Sequence, residues 1–145
     1  MKKILYSLLL LFVANVSVAQ TAKLKRANKF YNNLAFESAA SLYSSLAEQN
    51  LLDDNDMHKL ADAYYKMGDL KNAEPWFGKL YEKNIASNEE TYAYAQCLKW
   101  VGNYDKANEV MSKFAAVAPS DLRSVDFNKN KAAFDKIRAA QPKFE

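Results

Sequence analysis

The chain has 145 residues and a hydrophobic fraction of 50%, which suffices for one packed domain and excludes a disordered chain of low hydrophobicity. Its 20 basic and 17 acidic side chains leave a formal net charge of only +3, so nucleic acid is not an expected partner. The single cysteine, Cys97, excludes an intramolecular disulfide, and stability must therefore come from packing.

The first nineteen residues, MKKILYSLLLLFVANVSVA, have the composition of a secretory signal peptide. Lys2 and Lys3 precede an apolar core at 4–13, which is shorter than the roughly 20 residues that span a hydrocarbon layer. Small residues lead up to Ala19, so we expect cleavage there and a mature chain that starts at Gln20 without a transmembrane helix. Because no cysteine lies at this cut to accept a lipid, we expect an exported, periplasmic protein.

The rest of the sequence repeats every 34 residues. Blocks that start at Gln20, Asp54 and Asn88 align without insertion or deletion. Alanine recurs at places eight and twenty, and large apolar or aromatic residues recur at places eleven, seventeen, twenty-four and twenty-seven. These positions are Ala27, Ala61 and Ala95; Ala39, Ala73 and Ala107; Phe30, Tyr64 and Leu98; Phe36, Leu70 and Tyr104; Tyr43, Phe77 and Met111; and Leu46, Leu80 and Phe114. Small residues let two helices approach, and large ones fill the space beside them, so the pattern predicts stacked helix pairs.

This pattern resembles the tetratricopeptide repeat (TPR), a 34-residue helix-turn-helix unit, over residues 20–121. Gly68 and Gly102 match the turn between the helices, and Pro119 matches the closing proline of the family. The resemblance implies an all-α fold, a right-handed helical solenoid of three repeats with a C-terminal helical cap. The implied segments are a signal peptide at 1–19, repeats at 20–53, 54–87 and 88–121, the cap at 122–141, and the start of a linker or further domain at 142–145.

Capping residues predict where the helices begin. The segment from Ser87 to Glu90 matches a capping box, which predicts a helix start near Asn88. Asp53 or Asp54 is predicted to cap the equivalent helix one block earlier, and Ser120 to begin the segment after the repeats.

Three places should depart from a regular pattern. Gly68 and Gly102 are predicted to be left-handed, whereas the first block has Leu34 there, so we expect Asn33 to turn left-handed or the turn to change shape. Pro75 predicts a bend or a late start of its helix. After residue 121 we expect the pattern to stop. A short helix with Leu122, Val125 and Phe127 and a longer one with Ala133, Phe134 and Ile137 should flank the polar run 128–131, and Pro142 should end them.

Residues that could perform chemistry are few, and we expect neither enzymatic activity nor a cofactor. His58 and Cys97 are the only histidine and cysteine, and they occupy different faces in the block pattern, so we expect a buried structural thiol rather than a nucleophile pair. The acidic run 53–56 lacks the glycine and glutamate of a calcium loop, so helix capping is favoured and no metal is expected. A basic patch of Lys23, Lys25, Arg26 and Lys29 is predicted to be a solvated face, with a phosphate or acidic partner as the alternative.

The resemblance to TPR proteins also implies a concave groove lined by the first helix of each repeat. Carried over by position, the candidate partner-binding residues are Leu24, Asn28, Tyr31, Asn32, His58, Asp62, Tyr65, Lys66, Tyr92, Gln96, Lys99 and Trp100, with Thr21, Asn55 and Glu89 at place two. Aromatic side chains among amides and lysines are typical of a recognition surface, although the rings could equally pack between repeats. The family's carboxylate clamp is not expected, because Leu24 and His58 stand where that mode needs lysine.

The segment RSVDFNKNKAAFDKI at 123–137, together with the signal peptide and repeats, is similar to the start of OmpA-family envelope proteins of gliding, type IX-secreting bacteria. That resemblance implies a non-catalytic periplasmic scaffold, associated with the outer membrane, that docks envelope proteins or peptides. Peptidoglycan or outer-membrane attachment would come through domains beyond these residues. The alternative is an outer-membrane assembly or chaperone-type factor that holds extended peptides in the groove.

Overall fold

Helices make up nearly all of the described chain. A computed structural model describes residues 19–140, with the backbone alone at 132–135 and 137–140. The predicted signal peptide up to residue 18, and Pro142 with the residues around it, lie outside this range. Within it there are seven helices and no strand: α1 (19–32), α2 (Phe36–Ala47), α3 (Asp54–Lys66), α4 (Leu70–Glu82), α5 (Asn88–Trp100), α6 (Tyr104–Val117) and α7 (Leu122–Ala140). The predicted all-α class is confirmed, and the arrangement is compatible with a helical repeat. None of the helices over 19–140 has the length and apolarity needed to cross a bilayer.

The helix starts follow the 34-residue spacing of the sequence. Helices α2, α4 and α6 begin at Phe36, Leu70 and Tyr104, and helices α3, α5 and α7 begin at Asp54, Asn88 and Leu122. The residues before α2, α4 and α6 share one backbone conformation, with φ/ψ of −83°/66° at Ala35, −84°/68° at Asp69 and −86°/70° at Asn103. The expectation that the pattern stops after residue 121 is therefore wrong for the helix starts, although the buried alanines are not repeated there.

Left-handed residues recur at the same places in successive blocks. Gly68 and Gly102 have φ of 75° and 82°, as predicted, and Leu34 has φ of 60° at the equivalent position. The expectation that Asn33 would take this role is wrong. Because the next helix begins at the same place in all three blocks, the turn geometry is retained and Leu34 has to adopt it.

Most predicted caps are present. Asp53 accepts a hydrogen bond from the Asp56 amide at 2.8 Å and so caps α3. Ser87 and Glu90 form the complete capping box of α5, with the Ser87 amide donating to the Glu90 carboxylate at 2.8 Å. The prediction for Ser120 is wrong by one residue. Asp121 immediately precedes α7, and its carboxylate accepts the Arg123 amide at 2.8 Å.

Two predicted helix boundaries are wrong among the described helices. Helix α4 begins at Leu70, as the 34-residue spacing requires, and continues through Pro75, so a late start is wrong. Pro75 has no amide hydrogen to donate to the carbonyl of Lys71. Both residues are exposed, so water can hydrogen-bond to that carbonyl instead. Helix α7 is one helix of 19 residues rather than two, because the lysine and asparagine residues at 128–131 are exposed and can adopt helical backbone geometry.

The chain divides into two compact units, each with its own core. In the unit that ends at Gly68, α2 packs on α3; in the unit from Asp69 onward, α4 packs on α5, α5 on α6 and α6 on α7. All six repeated alanines are fully buried, as are most large residues at places twenty-four and twenty-seven. Place seventeen differs from the prediction: Phe36 and Leu70 are half-buried, and Tyr104 is exposed.

The apolar residues predicted to pack at the start of the cap also need correction. Leu122 and Val125 are 80% and 49% exposed, whereas Ser124 is fully buried and Phe127 is half-buried. The face of α7 that is buried is therefore the one with Ser124 and Phe127.

Candidate functional site

In the first unit, Asn28 takes part in a hydrogen-bond network. Its side-chain oxygen accepts from the Tyr43 hydroxyl at 2.9 Å and from the Lys59 ammonium. Lys59 also pairs with the buried Asp56 at 3.4 Å, and burial raises the pKa of that carboxyl. Asn28 thus has both of its acceptor positions committed to packing, which leaves less of it for a partner.

A second cluster in this unit joins three predicted groove residues. The Tyr31 hydroxyl donates to Asp62 at 2.5 Å, and Asp62 pairs with Lys66 at 3.8 Å. Phe36, which the sequence assigned to the core, completes the cluster: its ring meets that of Tyr31 edge-on at 5.7 Å and lies 5.7 Å from the Lys66 ammonium. This cluster presents a charged and aromatic surface on α1, α2 and α3.

The remaining candidates of the first unit differ in exposure. Leu24, His58 and Tyr65 are half-buried, and Asn32 is exposed. The basic patch is divided, because Lys23 donates to Ser45 at 2.9 Å while Lys25, Arg26 and Lys29 are exposed.

In the second unit, three predicted groove residues line one cavity of about 280 Å³ between α5, α6 and α7. These are Tyr92, Gln96 and Lys99. The other lining residues, which the sequence did not single out, are Asn108, Met111, Arg123, Asp126, Phe127 and Asn130. Trp100 does not line the cavity; its side chain is 70% exposed, beside the partly exposed Val101.

Arg123 connects α7 to α5. Its guanidinium donates to both carboxylate oxygens of Glu89, at 2.7 and 2.6 Å, and to Asp121 at 2.9 and 2.7 Å. It also lies 4.5 Å from the ring centroid of Tyr92 and 5.1 Å from that of Phe114. The ion pairs hold the pKa of Asp121 at about 2 and lower the pKa of Glu89.

Sequence reasoning missed Arg123, although a signal was present. Arg123 lies 34 residues after Glu89, so it occupies place two of a fourth block. Asp126 and Asn130 likewise occupy places five and nine of that block, the places of Tyr92 and Gln96 one block earlier. Extending the spacing by one helix would have found this side of the cavity.

Lys99 is the cation of the cavity that has no partner within residues 19–140. Its side chain is half-buried, and its ammonium makes no hydrogen bond or ion pair with a described side chain. Burial lowers its pKa, because the charged form is less well solvated there.

The groups that could perform nucleophilic or metal chemistry do not form a site among the described residues. Cys97 is fully buried, as predicted, and burial raises the pKa of its thiol to about 12. Over the same residues, no cluster of three histidine, cysteine or carboxylate side chains has the spacing of a metal site.

Among the described residues, several predicted groove residues thus meet in the cavity and in the Tyr31 cluster. No protein-family model matches the chain, and no curated protein matches its sequence significantly.

Proposed function

We propose that the chain is a non-catalytic protein-protein interaction module built from three tetratricopeptide repeats and a capping helix, arranged as a right-handed solenoid. The observation that carries this proposal is the recurrence, every 34 residues, of helix starts, left-handed turn residues and fully buried alanines. In a repeat array each repeat contacts only its neighbours along the chain. One face of alternate helices therefore stays available to partners.

The surface chemistry of α5 supports partner binding. Tyr92, Gln96 and Lys99 are only half-buried and open into a cavity, rather than being packed away. Aromatic and amide groups at a concave surface are typical of recognition sites. With the expected signal peptide and the resemblance to envelope proteins, we propose a periplasmic docking scaffold in a cell-envelope assembly.

A second candidate is a chaperone-type factor for outer-membrane assembly that holds extended peptides. The observation that favours it is the exposure of three apolar or aromatic residues close together in sequence at the end of α5 and the start of α6, Trp100, Val101 and Tyr104, which are 70%, 44% and 37% exposed. Such groups bind apolar segments without requiring one sequence.

Site-specific photo-crosslinking in the producing cells tests the docking proposal. A photoreactive residue at Gln96 or Trp100 should give one or two discrete protein adducts, whereas the same residue at the exposed Lys71 of α4 should give none of them. Identical adducts from all three positions, or none from Gln96 and Trp100, would contradict the proposal. Many adducts from Trp100, together with suppressed aggregation of an unfolded client, would favour the chaperone candidate instead.

A further inference from the structure

We propose that Gln20 becomes the first residue of the exported chain, closes into a pyroglutamate lactam and thereby stabilises α1. This inference rests on the export that is part of the proposed function, and it adds a modification site. In the sequence, Ser17 and Ala19 are the small residues at the third and first places before a signal-peptidase cut. A cut after Ala19 exposes the α-amine of a glutamine, whose side chain has the right length to close on that amine as a five-membered ring.

The lactam forms from the atoms of Gln20 alone. The neutral α-amine nitrogen attacks the side-chain carboxamide carbon, and a bond forms between these two atoms. The bond from that carbon to the side-chain nitrogen breaks, and the departing nitrogen takes one proton from the attacking amine and leaves as ammonia. The reaction therefore needs no oxidant, cofactor or second substrate, and it replaces a terminal ammonium by a neutral amide.

A cut after Ala19 leaves the contacts that anchor α1 in place. Ala19 is exposed and Gln20 is half-buried, so the cut lies at the edge of the packed structure. The anchoring contacts lie further along the helix, where Lys23 donates to Ser45 of α2 at 2.9 Å and Ala27 is fully buried. Gln20 is therefore the first residue of a helix that stays packed on α2 after the cut.

A free ammonium at Gln20 would destabilise α1, and the lactam removes that charge. Helices α3, α4, α5 and α6 are each preceded by a residue whose side chain accepts a first-turn amide. No residue precedes Gln20 in the exported chain, so an ammonium there would lie uncapped at the positive end of the helix dipole. Residues 20–32 contain four cations and no acid. On α2, the acid closest in the chain to Ser45 is Glu48, and one carboxylate cannot balance both Lys23 and an ammonium.

Mass spectrometry of the protein purified from the periplasm of the producing cells tests the modification. The chain should start at Gln20 and lack one ammonia relative to its sequence. Stepwise N-terminal sequencing should be blocked until a pyroglutamyl aminopeptidase removes the ring. The control Gln20→Ala has no side-chain amide to expel, so it should start at the same place with its full mass and a reactive α-amine.

Amide hydrogen exchange tests the effect of the lactam on α1. At about pH 6 a free α-amine is protonated, so α1 amides of Gln20→Ala should exchange about two- to fivefold faster than those of the lactam form. At about pH 9.5 the amine of Gln20→Ala is neutral, and the ratio of the two exchange rates should approach one. Amides of α5, in the other compact unit, serve as the internal reference and should exchange equally in both proteins.

A free amine at Gln20, or a chain that begins at any other residue, would overturn the lactam. Equal exchange of α1 in the lactam form and in Gln20→Ala at about pH 6 would overturn its stabilising role. These failures are distinct from failure of the proposed function. A periplasmic chain with a free Gln20 amine would remove the lactam and leave export and docking standing, whereas a chain that keeps residues 1–19 would remove export as well.

Discussion

Leu34 adopts a left-handed backbone conformation that its side chain does not favour. Its φ of 60° matches that of Gly68 and Gly102, yet its side chain is 72% exposed and gains little from packing. A left-handed backbone conformation costs most L-residues about 1–2 kcal/mol. Glycine and asparagine adopt it more readily. The chain already uses Asn50 and Asn84 at φ of 56° and 57°.

We therefore predict that Leu34→Asn stabilises the protein by about 0.5–1 kcal/mol. The control Leu34→Ala keeps an L-residue with the same strain and should give no gain. In the opposite direction, Gly102→Ala should destabilise by about 1 kcal/mol, because the new Cβ meets no atom within 4 Å and only the backbone strain acts. Urea unfolding measures all three, and a destabilised Leu34→Asn variant would show that the turn itself is altered.

Asp56 is a buried carboxyl whose ionisation opposes folding. Burial and the neighbouring Asp53 raise its pKa from the ordinary 3.8, and Lys59 offsets only part of this. A raised pKa in the folded state means that the contribution of Asp56 to stability is present below pH 3.8 and is lost as pH rises through the folded pKa.

We predict that Asp56→Asn becomes increasingly stabilising, relative to the unaltered protein, as the pH is raised from about 3 to 7. The amide keeps the shape of the side chain, and Lys59 retains its bond to Asn28. Urea unfolding at several pH values gives the difference in the free energy of unfolding. A difference that is constant over this range would mean that the Asp56 pKa is the same in the folded and unfolded states. Asp54→Asn, at an exposed position beside it, is the matched control.

At the scale of elements, one polar residue, Arg123, joins α7 to α5. The apolar residues Leu122 and Val125 point away from the core, and the buried Ser124 adds little apolar contact. Arg123 instead joins two carboxylates and two aromatic rings, so its loss removes ion pairs and ring contacts together.

We predict that Arg123→Met speeds amide hydrogen exchange in α7 while leaving α4 nearly unchanged. Lys113→Met, which removes an exposed partner of Glu109 on α6, should not have this effect. Lowering the pH should also speed amide hydrogen exchange in α7. The lowered pKa of Asp121 means that its contribution is present above pH 3.8 and is lost as the pH falls toward about 2. Unchanged exchange in α7 after Arg123→Met would show that other contacts hold this helix.

At the scale of the whole molecule, the chain has two packed cores rather than one. Leu60 is fully buried in the unit that ends at Gly68, and Leu98 is 1% exposed in the unit that starts at Asp69. Arrays of this kind open locally, because each helix pair depends on its immediate neighbours.

We predict that Leu60→Ala and Leu98→Ala, each of which should cost about 2–5 kcal/mol, lower amide protection mainly within their own units. Hydrogen exchange resolved by helix distinguishes α2 and α3 from α4, α5 and α6. An equal loss of protection across all helices for either variant would show that the chain unfolds as one cooperative body.

The sequence by itself determined the features that depend on neighbouring residues. The all-α class, the capping by Asp53 and by Ser87 with Glu90, and the left-handed glycines were predicted because caps and turns act over three or four residues. The burial of the repeated alanines followed from the 34-residue pattern, since every block places them at the same point.

Only the tertiary structure decided what depends on residues far apart in the chain. Leu34 is left-handed, like the glycines at the same place in the next two blocks, although its own preference does not favour this conformation. Arg123 meets Glu89 across 34 residues, and α7 forms one side of the cavity with a polar face that hydrophobic periodicity does not detect. Lys99 is distinguished from the other lysines by half-burial without a described partner, and burial arises only when α5, α6 and α7 are packed together.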